Sequence, residues 1–296
     1  MDVNNVFRIF PNQISSLIDK NKVNELQEIR IRTNRKTILK YNEELILEYI
    51  PDEREILNIL QMLCENSVYS YQSQISNGFI TLYGGHRVGI TGNIAMKDGK
   101  ITNINYISSL NFRIAKEIKE ISNSIINHVL TYEGINNTLI ISKPGCGKTT
   151  LLRDLVRNIS NSGYTVSLID ERGEIAAMYK GVPQNDVGIR TDVMDNVTKS
   201  IGMTIAVRTM APDVIVADEI GTSEDIDAIN YGICSGVKGI FTAHASSINE
   251  LKLNKNLEKI YEQKLFKKLI FLEKRGKVRN IYTLKNNLYE CDDEIL

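Results

Sequence analysis

The chain has 296 residues, enough for one or two domains with sizeable cores, and its 36 Lys plus Arg balance 36 Asp plus Glu to a net charge of zero. That balance excludes bulk electrostatic attraction to nucleic acid or to an anionic membrane, so any such contact must be local. No apolar run approaches the roughly 20 residues of a membrane span, the stretch Met1 to Asn5 lacks the basic and apolar parts of a signal peptide, and the dispersed Cys64, Cys146, Cys234 and Cys291 form no C-x-x-C pair for zinc or a disulfide framework.

A soluble, cytoplasmic protein is therefore expected. Before Asn137, helical patterns at Ile14 to Lys20 and Glu53 to Glu65 mix with β-like runs at Glu28 to Arg32, Thr37 to Tyr41 and Glu44 to Tyr49. A second β-rich stretch, Gly78 to Ile114, carries turn signals at Gly84-Gly85 and Asp98-Gly99. These predict a small α+β domain over 1–125, with the boundary in a helical connector near Ile121 to Gly134. Over 126–296, strands at Thr138 to Ile141, Thr165 to Ile169, Asp213 to Ala217 and Gly239 to Ala243 alternate with helical segments, one of them Val193 to Met210. Such alternation implies an α/β domain whose parallel sheet carries helices on both faces. From Lys252 to Arg279 the composition turns basic, over a helix and a hairpin (Lys267 to Lys274, turn Arg275-Gly276-Lys277, Val278 to Leu284). A solvated helix and hairpin account for these charges. A nucleic-acid surface is the alternative, although there is no Trp, and Tyr261, Tyr282 and Tyr289 form no evident stacking platform. There is no internal repeat.

Four strand ends carry candidate chemistry. Ser142-Lys143-Pro144-Gly145-Cys146-Gly147-Lys148-Thr149-Thr150 lies between the strand Thr138 to Ile141 and the helical stretch Leu151 to Ile159, the setting of a phosphate-binding P-loop. Its glycines let backbone amides turn inward around phosphates at a helix N-terminus. Lys148 is placed to reach the β and γ phosphates of ATP, and the Thr149 hydroxyl to ligate Mg²⁺. Ser142 occupies the first position of G-x-x-x-x-G-K-[ST], which removes neither the lysine nor the hydroxyl. Cys146 reads as a small residue at a permissive position. Val214-Ile215-Val216-Ala217-Asp218-Glu219 reads as a Walker B strand, with Asp218 toward Mg²⁺ and Glu219 orienting and deprotonating the attacking water. Between the two motifs, the strand Thr165 to Ile169 ends in Asp170-Glu171-Arg172-Gly173-Glu174-Ile175. Glu171 and Glu174 are the alternative bases. The last of these strands closes on Phe241-Thr242-Ala243-His244-Ala245, which points His244 toward the nucleotide as a catalytic candidate that senses the γ-phosphate, a structural hydrogen-bonding role being the alternative.

A P-loop, an acidic box, a Walker B strand and a Thr-Ala-His-Ala box in this order resemble the type II/IV secretion ATPases, a superfamily of hexameric ring motors with a RecA-like core. Ile169 to Ala176, Pro183 to Val193 and Ala217 to Gly221 resemble more closely a sporulation branch of that superfamily, as do Gly84 to Gly89 and Phe112 to Ile114. Ser142 and Lys143 depart from the Gly-Pro-Pro start of that branch. The resemblance implies a homo-oligomer with ATP at subunit interfaces. It also implies membrane-embedded partners in the channel between mother cell and forespore, and membrane association only through them. Arg87 and Arg113 in the first domain are then candidate arginine fingers toward a neighbouring γ-phosphate, with Arg208 a third. Two other functions are compatible with the motifs: a nucleic-acid-associated RecA-like ATPase, which lacks a recognisable binding motif here, and a nucleotide-gated scaffold with little turnover.

Overall fold

The computed structural model describes residues 10, 12–116 and 118–292; the Met1 to Asn5 start lies outside them. The chain divides into two compact units. Unit 1 comprises the described part of 1–117 together with Ala177–Gln184, and unit 2 comprises 118–176 and 185–292.

Unit 1 is a six-stranded antiparallel sheet with helices on one face. Its strands are β1 (Glu28–Arg32), β2 (Arg35–Lys40), β3 (Glu44–Ile46), β4 (Phe79–Thr81), β5 (Arg87–Lys97) and β6 (Lys100–Arg113), in the order β3-β2-β1-β6-β5-β4. Side chains alternate across the sheet, so Ile29, Ile31, Val88, Ile90, Leu110 and Phe112 enter the core while Glu28, Arg30, Arg87 and Arg113 take the other face. The turn signal at Asp98-Gly99 does form the β5–β6 hairpin, both residues taking positive φ (52° and 74°) as a type I′ turn requires.

The helix α2 (Glu53–Leu63) starts at a capping box. Asp52 accepts the Glu55 N–H at 2.8 Å, and the Glu55 carboxylate accepts the Asp52 N–H at 2.9 Å. Its Ile56, Ile59, Leu60 and Leu63 recur at helical spacing and are buried. The run Ile14 to Lys20 is not one helix. Ile14 and Ile18 are buried, but only α1 (Asn12–Ser15) is α-helical and a 3₁₀ segment follows at Lys20–Glu25. Gln72–Ser76 forms a further short helix, α3. The segment Ala177–Gln184 is fixed within unit 1: Tyr179 and Lys180 both bond Glu65, and Gln184 accepts the Gly84 N–H at 2.8 Å.

His86, beside Gly84, is buried. Its Nδ1 accepts the Ala115 N–H at 3.0 Å, while Nε2 finds no partner among the described residues. Burial disfavours the imidazolium and pulls the group down to about 4. Unfolded chains take up this proton near pH 6.5 whereas the folded state does not, so the contribution is intact above 6.5 and lost as pH falls to about 4. The loss should total about 3 kcal/mol, and His86→Asn, which keeps an acceptor for Ala115, should flatten that part of the curve in urea unfolding followed from pH 7 to 4. An unchanged slope would contradict the assignment.

Unit 2 is built on an eight-stranded sheet in the order β11-β10-β12-β13-β9-β14-β15-β16. β9 (Thr138–Ser142), β10 (Val166–Asp170), β11 (Thr191–Asp195), β12 (Val214–Ala217), β13 (Lys238–His244) and β14 (Lys268–Leu272) are parallel. β15 (Val278–Lys285) and β16 (Leu288–Cys291) close it antiparallel. A two-stranded ribbon of β7 (Leu130–Thr131) and β8 (Gly134–Ile135) precedes it, after the helical turn α4 (Ile126–Val129). Every residue of β9, β10 and β12 is buried, as in strands covered on both faces. On one face Leu139, Ile141, Ile169, Ile215, Phe241 and Phe271 pack with α6 (Lys199–Thr209), α7 (Ser223–Cys234), α8 (Ile248–Leu253) and α9 (Lys255–Gln263). The alternate residues of the same strands face α5 (Lys148–Asn161), which buries Leu151, Leu152, Leu155, Val156 and Ile159.

Two expectations change here. Val193 lies in β11 rather than in a helix. Thr191–Asp195 pairs in parallel register with β10 as a half-buried edge strand, and α6 begins only at Lys199. The C-terminal hairpin is part of the main sheet, because β14 pairs with β9 through Lys268–Thr138 to Phe271–Ile141.

Candidate active site

The parallel strands β9, β10, β12 and β13 deliver their last residues to one edge, where polar side chains escape the apolar sheet. β9 runs into the P-loop. Gly145 and Gly147 take φ of +74° and +93°, values open to glycine and costly to other residues. Ser142 has no such need: it ends β9 outside the left-handed region, and its hydroxyl donates to the Lys143 carbonyl at 2.9 Å and accepts from Lys148 at 3.2 Å. The serine at the first loop position is thus absorbed without strain.

Lys148 opens α5 and is buried. Its Nζ donates to the Ser142 carbonyl at 3.1 Å, the Lys143 carbonyl at 3.4 Å and His244 Nδ1 at 3.0 Å. Burial lowers the Lys148 ammonium from its ordinary range, and the charges of Asp218 and Glu219 oppose that loss. An ammonium has no acceptor, so His244 Nδ1 facing it accepts; Nε2 then carries the hydrogen and donates to Glu219 Oε1 at 2.9 Å. A continuous chain, Lys148–His244–Glu219, results.

Glu219 follows β12 with φ +55°, a conformation that costs a non-glycine residue about 1 kcal/mol or more and accumulates at functional positions. Its N–H donates to Thr242 Oγ at 2.8 Å, and its carboxylate also receives Arg172 from the acidic box. Burial alone would raise the Glu219 carboxyl, but the hydrogen bond from His244 and the positive charges of Arg172 and Lys148 hold it below the usual carboxylate range. Asp218 accepts Thr149 Oγ at 2.6 Å through one oxygen and Thr242 Oγ through the other. The adjacent Thr149 hydroxyl and Asp218 carboxylate are the hard oxygen donors Mg²⁺ takes alongside phosphate oxygens, so these residues fit the ion and the triphosphate they are read to hold.

The other sequence candidates are placed differently. Glu171 is paired with Lys199 of α6. Glu174 is exposed, and its backbone is fixed from both sides: its N–H goes to Asp170 at 2.9 Å and its carbonyl accepts Arg153 at 2.6 Å. Arg208 lies over the Tyr231 ring at 5.9 Å, in an open groove between α6 and α7 lined also by Ile201 and Ile205. Arg87 and Arg113 belong to unit 1, where they stand directly opposite each other on β5 and β6. Arg87 rests on the Phe79 ring at 4.6 Å.

Sequence reasoning missed Arg172 and Thr242. Both were within reach: Arg172 sits inside the quoted acidic box, and Thr242 is two residues before His244, hence on the same side of β13. If Glu219 positions the attacking water, His244→Ala should lower turnover at least tenfold with ATP affinity nearly unchanged, since the side chain contacts that carboxylate. An unaltered turnover number in steady-state assays would return His244 to a structural role.

The sequence profile of the family described as "Sporulation stage III, protein AA" matches residues 2–288. The chain is 34% identical over 274 residues to stage III sporulation protein AA of Bacillus subtilis (strain 168), covering 89% of each chain. Among solved structures it resembles the ATPase DotB of Legionella pneumophila (TM-score 0.57, 15% identity, 88% of this chain and 78% of that one). It also resembles the pilus retraction motor PilT with bound ADP (TM-score 0.60, 13% identity, 85% and 76%). At such identities these two establish the fold alone: a RecA-like α/β unit, preceded in the sequence by a unit with an antiparallel sheet. The sequence match, which runs through both sheets, the acidic box and the P-loop, settles kinship: the chain belongs to the stage III sporulation protein AA family.

Proposed function

We propose that this chain is a Mg²⁺-dependent ATP hydrolase that works as a homo-oligomeric ring, a hexamer by analogy with secretion motors, and energises or assembles the channel complex between mother cell and forespore. The observation that carries the reading is the joint placement of Lys148, His244 and Glu219 in one hydrogen-bonded chain beside the Thr149–Asp218 pair. Among the described residues no helix is long and apolar enough to cross a membrane, which is compatible with a protein of the mother-cell cytoplasm recruited to the membrane by channel partners.

In this reading the P-loop amides and Lys148 bind the phosphates. Lys148 exchanges two backbone carbonyls and a histidine nitrogen for phosphate oxygens, so the ammonium is already positioned and pays no rotamer search. Thr149 and Asp218 would hold Mg²⁺, which would supply positive charge against the phosphates. Glu219, ionised and oriented by His244 and Arg172, accepts a hydrogen bond from water and aims its oxygen at the γ-phosphorus. As that oxygen bonds to phosphorus and the bond to the β-phosphate oxygen breaks, the water proton passes toward Glu219. A lowered carboxylate pKa makes a weak base, so orientation of the water is the larger contribution.

Sizing the protein with and without a non-hydrolysable ATP analogue, beside an ATPase assay, tests ring and enzyme together. A nucleotide-dependent shift to a closed oligomer with measurable turnover is expected. Binding without turnover would instead indicate a nucleotide-gated scaffold, and stimulation by DNA or RNA a nucleic-acid-associated ATPase.

A further inference from the structure

The turn Lys274–Gly276, which joins β14 to β15, is fastened to the P-loop. The Gly276 N–H donates to the Cys146 carbonyl at 2.6 Å. A Cβ on Gly147 would come within 3.0 Å of Gly276 N and 3.4 Å of the Arg275 carbonyl carbon, so the two backbones touch. On its other side the turn meets Ile121: a Cβ on Gly276 would lie 2.8 Å from Ile121 Cδ1. Ile121 is itself anchored, because the N–H and hydroxyl of the next residue, Ser122, donate to Asp154 of α5 at 2.9 and 2.7 Å. P-loop, turn and Ile121 therefore form one fixed assembly within unit 2.

Sheet order says which end of a nucleotide this assembly would meet. Lys148, His244, Asp218 and Glu219 mark the terminal-phosphate end, and they lie toward β13 and β12 on one side of β9. A triphosphate laid across the start of α5 with its γ-phosphate there must extend its nucleoside toward the opposite neighbour of β9, which is β14 and its turn. At that turn Arg275 holds φ +61°, an uncommon conformation for a side chain of its size, and is exposed; among the described residues it makes no hydrogen bond or ion pair.

We propose that the Lys274–Gly276 turn is the nucleoside-recognition element of this site, with the Arg275 guanidinium stacking on the purine face against the apolar wall of Ile121. This rests on the ATP-binding reading above. It is tested by calorimetric binding of two probes with Mg²⁺, ATP and inorganic tripolyphosphate, to the full chain and to Arg275→Gly. Glycine suits the positive φ, so the turn keeps its course in the variant. The expected result is about tenfold weaker binding of ATP to Arg275→Gly with tripolyphosphate binding unchanged. Equal weakening of both probes would make Arg275 a phosphate contact and overturn the assignment, as would no change in either. If the unaltered chain binds neither probe, the ATP-binding reading falls first and this inference with it.

Discussion

Arg113→Ala protein should bind ATP as the unaltered chain does and hydrolyse it about 10³-fold more slowly, a loss on the order of 4 kcal/mol of transition-state stabilisation. The motive is the charge pattern on the outer face of the first sheet. Arg113 stands opposite Arg87 on one side and Glu28 on the other. Glu28 does not neutralise it, because that carboxylate is engaged by Arg30 at 2.9 Å and by Asn111 at 2.5 Å. Among the described residues Arg113 forms no ion pair or side-chain hydrogen bond. The Arg113 guanidinium is therefore available to an anion supplied from elsewhere. A γ-phosphate held by a neighbouring subunit is such an anion. Arg87→Ala is expected to act in the same direction, with a smaller effect because that side chain also rests on Phe79. Activity should partly return when Arg113→Ala is mixed with Lys148→Ala under conditions of subunit exchange, since mixed rings pair an intact P-loop with an intact arginine. Full activity in both arginine variants, or exchange-competent mixtures without rescue, would remove the interfacial role.

Lys148→Ala and Glu219→Gln should fail at different steps. Removing the buried ammonium leaves the P-loop without its phosphate counter-charge, and ATP affinity should fall by about 100-fold or more. Glutamine at 219 keeps the size of the side chain and a hydrogen bond to His244 but discards the ionised oxygen that aims the water. Binding should survive while turnover drops about 10³-fold. Equilibrium binding and single-turnover hydrolysis separate the two. Near-normal hydrolysis by Glu219→Gln would pass the role to Glu171 or Glu174, against the Lys199 pairing of the first and the fixed backbone of the second.

The parts of the fold that could be read in advance are those in which one physical rule dominates. Strands β9, β10, β12 and β13 have mainly apolar, buried interiors because both faces are covered, and the sequence places them to within a residue or two. β11 and β16 escaped because Thr191–Asp195 and Leu288–Cys291 are half-exposed edge segments with no such signature. The phosphate loop and its carboxylates were legible because the chemistry demands glycine, lysine, hydroxyl and acid at fixed spacing. Contacts that depend on which strands become neighbours were not. Nothing local in Arg275-Gly276 announces that β14 will insert beside β9 and carry the turn against Gly147. Nor does the sequence around Lys199 show that it will occupy Glu171, since the two meet only when α6 packs over the end of β10.

Hydrolysis of Mg²⁺-ATP by Lys148, Thr149, Asp218 and Glu219 is checked by phosphate release from ATP by the purified chain, measured with Mg²⁺, with the metal chelated, and in the Glu219→Gln variant. Steady release is expected with Mg²⁺, none above background after chelation, and release reduced about 10³-fold in the variant. Release that persists without Mg²⁺, or that is equal in the two proteins, would contradict this assignment.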